Sequence, residues 1–314
     1  MPGRVLIAEP MSPRAAEVMG TAGLRVDHRP GLRGQDLSEI IAPYDGLVVR
    51  SGTLVTRDLL LRAPKLRVIG RAGVGTDNID IPSAHDHGVV VMNTPTGNSI
   101  AAAEHAIAML MALLRHIPQA NASMRAGRWE RPKFKGSQIT GKTVGIIGMG
   151  NIGRIVSDRM RGLRAVVLAY DPYLSTDDAQ TLGVRKVELD DLMEQSHFIT
   201  VHSPLLPATH HLLNDTTLAL CRPGATIINC ARGGIIDEAA LLRALDDGHI
   251  AGAALDVFER EPLHPDHPLR AHPSVILTPH LGASTFEAQE TVAEQIAQQI
   301  ADFLLFGRVI NAVA

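Results

Sequence analysis

Short apolar runs alternate with helix-compatible stretches through the first third of the chain. Five such runs lie between residues 4 and 92, at 5–8, 24–26, 46–49, 66–69 and 89–92. Stretches that suit helices, such as residues 13–19 and 56–61, separate them. Alternation of short apolar strands with helices is typical of a parallel sheet, so we expect a parallel α/β domain here.

An Ala-rich segment follows at residues 98–115 and predicts a long helix. Asn98 suits the N-cap of this helix, and Pro118 should end or kink it because proline lacks the N–H that a helix needs. The helix is therefore expected to connect the first domain to a second one.

The alternation resumes at Thr143 and predicts a second α/β unit. Its apolar runs lie at 144–147, 166–170, 198–201, 225–229, 252–255 and 275–277. Residues 284–287 read Ser-Thr-Phe-Glu, a capping-box pattern that predicts a helix from there to about Phe306. A helix of that length could return to the first unit. We therefore predict a discontinuous domain at 1–97 and 285–314, and a continuous one at 98–284.

A glycine-rich turn at residues 148–153, Gly-Met-Gly-Asn-Ile-Gly, joins a predicted strand to a predicted helix. Gly148 permits the tight turn, Gly150 allows the backbone to approach a pyrophosphate, and Gly153 allows close helix packing. Asp171 ends the next strand at the offset expected for an acid that hydrogen-bonds a ribose diol. A carboxylate there would repel a 2′-phosphate, so the pattern favours NAD over NADP and a Rossmann-type domain.

Composition narrows the possible partners. The chain has 314 residues, a net charge of -3 and only 3% aromatic residues. A nucleic-acid-binding protein usually has a positively charged surface and aromatic side chains on which bases stack. This chain has a negative net charge and few aromatic residues, so a small-molecule substrate is favoured. The two cysteines, Cys221 and Cys230, indicate a reducing compartment. With no signal-peptide pattern and no long apolar span, we expect a cytoplasmic protein without a membrane partner.

Arg232, Glu261 and His280 are the candidate catalytic residues, because each follows a predicted strand. In an open α/β sheet the carboxyl ends of the strands line the ligand crevice, so these distant residues can converge. Hydride transfer from a C–OH group needs a base, which histidine provides near neutral pH. Glutamate can orient that histidine, and arginine can hold a carboxylate bidentately. Each residue taken singly also suits a turn or the surface.

Other polar groups have competing interpretations. The glycines at 70–75 could present N–H groups to an anion, and Arg50 and Arg71 could bind a carboxylate or phosphate or simply be solvated. Five basic residues between Arg125 and Lys135 form either a solvated face or a phosphate site, with Arg131 or Lys133 as candidates. The histidines at 264, 267 and 272 fit no regular metal spacing, so no metal is expected.

The chain resembles the D-isomer-specific 2-hydroxyacid dehydrogenases, and within them the members that act on D-3-phosphoglycerate. The resemblance is carried mainly by residues 49–51, 70–75, 92–95, 127–131, 148–153, 202–205, 229–234, 254–262 and 279–285. It implies a flavodoxin-like substrate domain into which the Rossmann-type NAD domain is inserted. It also implies NAD-dependent oxidation of the phosphorylated D-2-hydroxy acid to 3-phosphohydroxypyruvate, a step toward serine, in a homodimer.

The resemblance assigns roles to individual residues. It implies that Arg232, Glu261 and His280 are catalytic. Its cofactor contacts fall, together with the glycine turn, on Val74, Gly148, Gly150, Asn151, Ile152, Gly153, Asp171, Ser203, Cys230, Ala231, Asp256, Gly282 and Ala283. Its substrate contacts fall on Arg50, Ser51, Arg71, Gly73, Val74 and Arg131.

Two alternatives stay open from the sequence. A reductase of glyoxylate, hydroxypyruvate or another D-2-hydroxy acid would share the chemistry, because a few loop residues set the specificity. An NAD-sensing corepressor or binding module would share the fold. Since longer related enzymes continue into regulatory domains beyond the position of Ala314, we also expect no inhibition by serine through such a domain.

Overall fold

The computed structural model describes residues 3–32 and 34–313. The chain divides into two compact units, Met1–Ser99 with Ala283–Ala314, and Ile100–Gly282. The domain boundaries predicted from the sequence lie two residues from these divisions. Each unit is described by itself.

The described residues form twelve strands and twelve α-helices. The strands are β1 (Arg4–Ile7), β2 (Arg25–His28), β3 (Gly46–Val49), β4 (Val68–Arg71), β5 (Val90–Asn93), β6 (Thr143–Ile147), β7 (Val166–Tyr170), β8 (Arg185–Lys186), β9 (Phe198–Val201), β10 (Ala225–Asn229), β11 (Ile250–Leu255) and β12 (Val275–Leu277). The helices are α1 (Arg14–Thr21), α2 (Gly34–Ile40), α3 (Arg57–Leu61), α4 (Ile81–Asp86), α5 (Ser99–Leu114), α6 (Ile117–Arg125), α7 (Asn151–Gly162), α8 (Thr176–Leu182), α9 (Leu189–Gln195), α10 (Asp215–Ala219), α11 (Glu238–Asp246) and α12 (Phe286–Phe306).

Both sheets are parallel throughout their described strands. The first unit has the strand order β2-β1-β3-β4-β5, which is the flavodoxin-like order. The second unit has the order β12-β11-β10-β9-β6-β7-β8, in which β6 and β9 are neighbours and the direction of winding reverses. This is the Rossmann arrangement, and the expected crevice lies at the carboxyl ends of β6 and β9. The predicted fold class is confirmed.

Helix α12 belongs to the core of the first unit. Ile296 and Ile300 are fully buried in one cluster with Val5 and Met92 of the sheet. The contact with β4 is close, because a Cβ atom built on Gly70 would lie 2.6 Å from Cδ1 of Ile300. The C-terminal helix is thereby held against strands formed near the start of the chain.

Two predicted helix caps are wrong. Asn98 precedes α5, but its Oδ1 atom is buried and accepts no hydrogen bond from the described residues, so it does not cap the helix. The N-cap of α12 is Thr285 rather than Ser284, because the Thr285 side chain accepts the N–H of Ala288. The helix end at Phe306 agrees with the prediction.

Pro118 lies in the first turn of α6, after a bend of 61° between α5 and α6. Among the described residues no single helix has the length and apolar character to cross a membrane. This bent pair passes the same test when its two helices are taken together.

Candidate active site

The glycine turn joins β6 to α7 in the second unit. Gly148 has a φ of 94°, a left-handed conformation that favours glycine, and a Cβ atom there would lie 2.6 Å from the carbonyl oxygen of His202. A Cβ atom on Gly153 would lie 2.0 Å from the carbonyl oxygen of Gly148. A Cβ atom on Gly150 would meet nothing within 4 Å. The turn is therefore packed on two sides and open at Gly150, as a pyrophosphate would require.

Asp171 closes over this turn from the end of β7. Its Oδ2 atom accepts the N–H of Met149 at 2.7 Å, and its Oδ1 atom accepts the N–H of Tyr173 at 2.8 Å. Ser203, which follows β9, has a buried hydroxyl oxygen without a hydrogen-bond partner among the described residues. An orphaned hydroxyl at the carboxyl end of the sheet and an acid fixed beside the glycine turn both fit a dinucleotide.

The other predicted cofactor contacts divide between the units. Asn151 and Ile152 open α7, Cys230 and Ala231 follow β10, and Asp256 and Gly282 follow β11 and β12. Val74 and Ala283 belong to the first unit. The second unit thus collects most of the predicted cofactor contacts at the carboxyl edge of one sheet.

His280 and Glu261 form a close pair in the second unit. The Nδ1 atom of His280 lies 2.7 Å from Oε2 of Glu261, and Oε1 of Glu261 accepts the N–H of Phe258 at 3.1 Å. Because a carboxylate accepts hydrogen bonds, Nδ1 carries the proton and Nε2 has the lone pair. The ring is therefore oriented with a basic nitrogen available for chemistry.

The pair shifts the ionisation of both of its members. The hydrogen bond to Glu261 raises the pKa of His280, the negative charge of Asp256 adds to this rise, and the positive charge of Arg232 opposes it. Burial raises the pKa of Glu261, but the hydrogen bond and positive charge of His280, together with the N–H group of Phe258, outweigh burial and leave that pKa below its ordinary value. Both groups are more than one-third exposed, so solvent screens the pair.

Arg232 lies in the segment after β10. Asn229 holds this segment, because its side-chain amide donates to the carbonyl of Arg232 at 2.8 Å and its Oδ1 atom accepts the N–H of Ala231 at 3.0 Å. The next residue, Gly233, approaches the chain before Glu261 so closely that a Cβ atom would lie 1.8 Å from the carbonyl oxygen of Phe258. The structure therefore brings together the three segments that carry the predicted catalytic residues.

The predicted substrate contacts of the first unit lie at the ends of β3 and β4. Val49 pairs with Arg71 in the sheet, so Arg50 and Ser51 leave one strand beside Gly73 and Val74 leaving the next. The carboxylate of Glu9 accepts the N–H groups of residues 50, 52 and 53 at 2.8, 3.1 and 2.8 Å. The two loops are thus neighbours, and the first of them is fixed by a buried carboxylate.

Arg131 lies in the second unit, on a short 3-10 helix at Arg131–Phe134. This helix borders a cavity of about 1030 Å³ that is also lined by Arg115, Arg128, Trp129 and Lys135. Within the basic segment, Glu130 accepts hydrogen bonds from Lys133 at 2.6 Å and from Arg128 at 3.1 Å. Together with the hydroxyl of Ser123, these bonds lower the pKa of Glu130 to about 2. Lys133 is thereby engaged in an ion pair, which favours Arg131 as the phosphate candidate.

The three clustered histidines face different carboxylates. His264 lies 3.8 Å from Asp266, His267 lies 3.2 Å from Glu238, and His272 lies 3.6 Å from Asp246. Among the described residues, one set of side chains of the types that bind metals lies close together. It consists of His105, Cys230 and Asp256. The Asp256 oxygens already accept hydrogen bonds from Leu281, Gly282 and Thr278, so we interpret this group as a hydrogen-bond network.

His105 and Thr278 are polar residues near the loop that carries His280, and the sequence pattern does not assign them a role. His105 lies in α5, which the sequence predicts only as a connecting helix. The signal was present, because His105 is the one strongly polar residue on the stripe formed by Ala102, Ala106 and Met109, three residues that the structure buries. A polar group at a core-facing helix position needs a partner.

Comparison with known proteins identifies the family. Residues 107–282, more than half of the chain, match the family model described as D-isomer specific 2-hydroxyacid dehydrogenase, NAD binding domain. The chain belongs to the D-isomer specific 2-hydroxyacid dehydrogenase family. Its second unit is accordingly an NAD-binding domain, which confirms the predicted cofactor.

Known proteins of this kind are similar to nearly the whole chain, in sequence or in structure. The chain is 48% identical to the D-3-phosphoglycerate dehydrogenase of Rattus norvegicus over 99% of its own length and 59% of that protein. It therefore spans about three-fifths of that relative. The structure is similar to the TT0316 protein of Thermus thermophilus, with a TM-score of 0.91, 32% identity, and coverage of 99% of this chain and 100% of the other. The D-lactate dehydrogenase of Escherichia coli aligns with a TM-score of 0.88, 26% identity, and coverage of 99% and 100%.

Proposed function

We propose that this chain carries an NAD-dependent dehydrogenase that oxidises D-3-phosphoglycerate to 3-phosphohydroxypyruvate. The chemistry rests on one observation, the 2.7 Å contact between His280 and Glu261 on the NAD-binding unit. The substrate rests on the 45–49% identity to D-3-phosphoglycerate dehydrogenases of animals, bacteria and an archaeon.

The residues of the second unit can perform the proton transfer. The Nε2 atom of His280 accepts the proton of the substrate hydroxyl, and the carboxylate of Glu261 stabilises the imidazolium that results. The planar guanidinium of Arg232 holds the substrate carboxylate and stabilises negative charge on the reacting oxygen. NAD, when bound, supplies the acceptor for the hydride that leaves the hydroxyl-bearing carbon.

The glycine turn and the neighbouring strand ends of the second unit would hold the cofactor. The N-terminus of α7 and the open side of the turn at Gly150 would face the pyrophosphate, and Asp171 would accept hydrogen bonds from the adenosine ribose. Ser203, Cys230 and Ala231 are proposed to complete the site from the neighbouring strand ends. The fixed carboxylate of Asp171 supports NAD rather than NADP.

The phosphorylated acid needs cations beyond Arg232. We assign this role to Arg50 and Arg71 at the ends of β3 and β4, with Ser51, Gly73 and Val74 presenting polar backbone or hydroxyl groups. Arg131 is a further phosphate ligand in this proposal. Guanidinium groups suit phosphate because they donate two parallel hydrogen bonds.

The proposal extends to a cytoplasmic homodimer without nucleic-acid or membrane partners. Support for a reducing compartment comes from the two cysteines, which are both free and buried. Burial raises the pKa of Cys221 to about 12 and raises the pKa of Cys230 as well, so both thiols stay protonated.

The test is turnover by the purified protein. NADH formation, followed by its absorbance, is measured with D-3-phosphoglycerate, D-glycerate and D-lactate, and the reverse reaction with the corresponding keto acids. We expect the phosphorylated acid to give the highest kcat/KM. His280→Ala should lower kcat roughly 100- to 10,000-fold, the range for a lost general base. His264→Ala, an exposed histidine of the same unit, is the matched control.

Each other outcome points to a different function. Turnover confined to the unphosphorylated acids would replace the substrate assignment with that of a D-2-hydroxyacid reductase. NAD binding without turnover on any acid would leave a binding module.

A further inference from the structure

A histidine outside the proposed catalytic residues lies against the loop that carries His280. In α5, the Nε2 atom of His105 lies 3.2 Å from Oγ1 of Thr278 and 3.3 Å from Oδ1 of Asp256. The Thr278 hydroxyl donates to the same Asp256 oxygen at 2.6 Å. Because the carboxylate only accepts and the hydroxyl proton is already given to it, Nε2 of His105 must be the donor.

Asp256 in turn holds the loop at residues 280–282. Its Oδ1 atom accepts the N–H of Leu281 at 2.7 Å, and its Oδ2 atom accepts the N–H of Gly282 at 2.8 Å. Its backbone carbonyl accepts the N–H of His280 at 2.8 Å. Three consecutive N–H groups of the catalytic loop therefore end on one aspartate.

The loop needs this support because its backbone is unusual. His280 has a φ of 55°, in the left-handed region that residues with a side chain seldom adopt. Such a conformation persists only where surrounding contacts determine it, and the strained residue here is the proposed base. Loss of the contacts would let the ring leave the orientation that its pair with Glu261 requires.

The aspartate itself depends on donors, because its side chain is fully buried. Burial raises the pKa of Asp256, and hydrogen bonds from His105, Thr278 and Leu281 more than compensate, so the group stays ionised. Of these donors, His105 is the one that comes from outside the segment 278–282. It ties the loop to the adjacent helix.

We propose that His105 is a positioning residue, whose Nε2–H group holds the Asp256 carboxylate and the Thr278 hydroxyl and thereby fixes the loop that orients His280. The expected effect of His105 on kcat rests on the proposed function. Its expected effect on the backbone of residues 280–282 does not depend on which substrate the protein uses.

Two substitutions at one position test the proposal. His105→Leu fills the space without a donor, whereas His105→Gln places an amide donor near the position of Nε2. We expect kcat to fall about 10- to 100-fold in the leucine variant, as for a small misplacement of a reacting group, and to recover most of that loss in the glutamine variant. NADH binding should stay at one molecule per chain in both variants. Glu104→Gln, an exposed position on the same helix, is the control.

Amide hydrogen exchange supplies the second readout. In His105→Leu the N–H groups of Leu281 and Gly282 should exchange at least several-fold faster than in the unmodified protein, and in His105→Gln much less so. Equal losses of kcat in the leucine and glutamine variants, or an unchanged exchange rate in the leucine variant, would overturn the proposal. If the unmodified protein turns over no D-2-hydroxy acid, the proposed function fails while the exchange measurement still decides the role of His105.

Discussion

Oε2 of Glu261 lies 2.7 Å from Nδ1 of His280, although the two residues are 19 positions apart and follow different strands. Neighbouring parallel strands β11 and β12 make this possible, because their carboxyl ends open at the same edge of the sheet. The contact sets the tautomer of the histidine and raises its pKa, and the first prediction follows from it.

Replacing Glu261 by Gln should move the acid limb of the oxidation reaction to lower pH. In the proposed mechanism the neutral imidazole of His280 is the base, so the rate falls as pH drops through the pKa of His280, and loss of the carboxylate lowers that pKa. The maximal rate should also fall, about 10-fold or more, because the imidazolium loses its stabilising partner. The measurement is kcat/KM across the acid and neutral range at saturating NAD. Glu259→Gln is the control, and an acid limb that stays in place would contradict the assignment.

Replacing Asp171 should change the choice of cofactor. Asp171→Ala removes the proposed ribose acceptor and the charge that repels a 2′-phosphate, so kcat/KM for NAD should fall roughly 10- to 100-fold while that for NADP rises. Asp171→Asn keeps the size of the side chain and separates loss of charge from loosening of the bonds to Met149 and Tyr173. If the ratio of NADP to NAD use is the same in all three proteins, Asp171 does not select the cofactor.

Gly233→Ala should destabilise the NAD-binding unit. The added Cβ atom would lie 1.8 Å from the carbonyl oxygen of Phe258, and backbone cannot move aside as a flexible side chain can. We expect a loss of roughly 1–3 kcal/mol in the free energy of unfolding, measured by denaturant titration, together with lower activity. Gly162→Ala is the matched control. Its Cβ atom meets nothing within 4 Å at the end of α7, so that variant should be neutral or up to about 1 kcal/mol more stable.

Ile296→Ala should weaken the first unit, including strands that lie at the opposite end of the chain. Ile296 is fully buried against the sheet, and removing such a side chain costs about 2–5 kcal/mol. Amide protection of β4 should fall together with that of α12, as seen by hydrogen exchange. Leu305→Ala, a half-exposed position in the same helix, should cost much less. Loss of protection confined to α12 would show that the helix does not share a core with the sheet.

Local patterns were sufficient for most of the secondary structure and for the cofactor. The apolar runs predicted eleven of the twelve described strands, most of them because a strand buried on both faces must be apolar along its length. The strand missed is β8, two exposed basic residues at the edge of the sheet, where pairing rather than burial makes the strand. The two caps were placed wrongly because a cap depends on where the chain turns.

The sequence by itself determined the parallel α/β class, the glycine turn and the residue types available for chemistry, since these follow from local periodicity and from conformations that glycine adopts most readily. Tertiary structure decided which polar groups meet. Glu261 meets His280, Asp256 receives the N–H groups of residues 280–282, and His105, on a helix far away in the sequence, reaches that aspartate. Such contacts depend on the order and register of strands and on helix packing, and these are fixed by the burial of apolar surface summed over the whole chain.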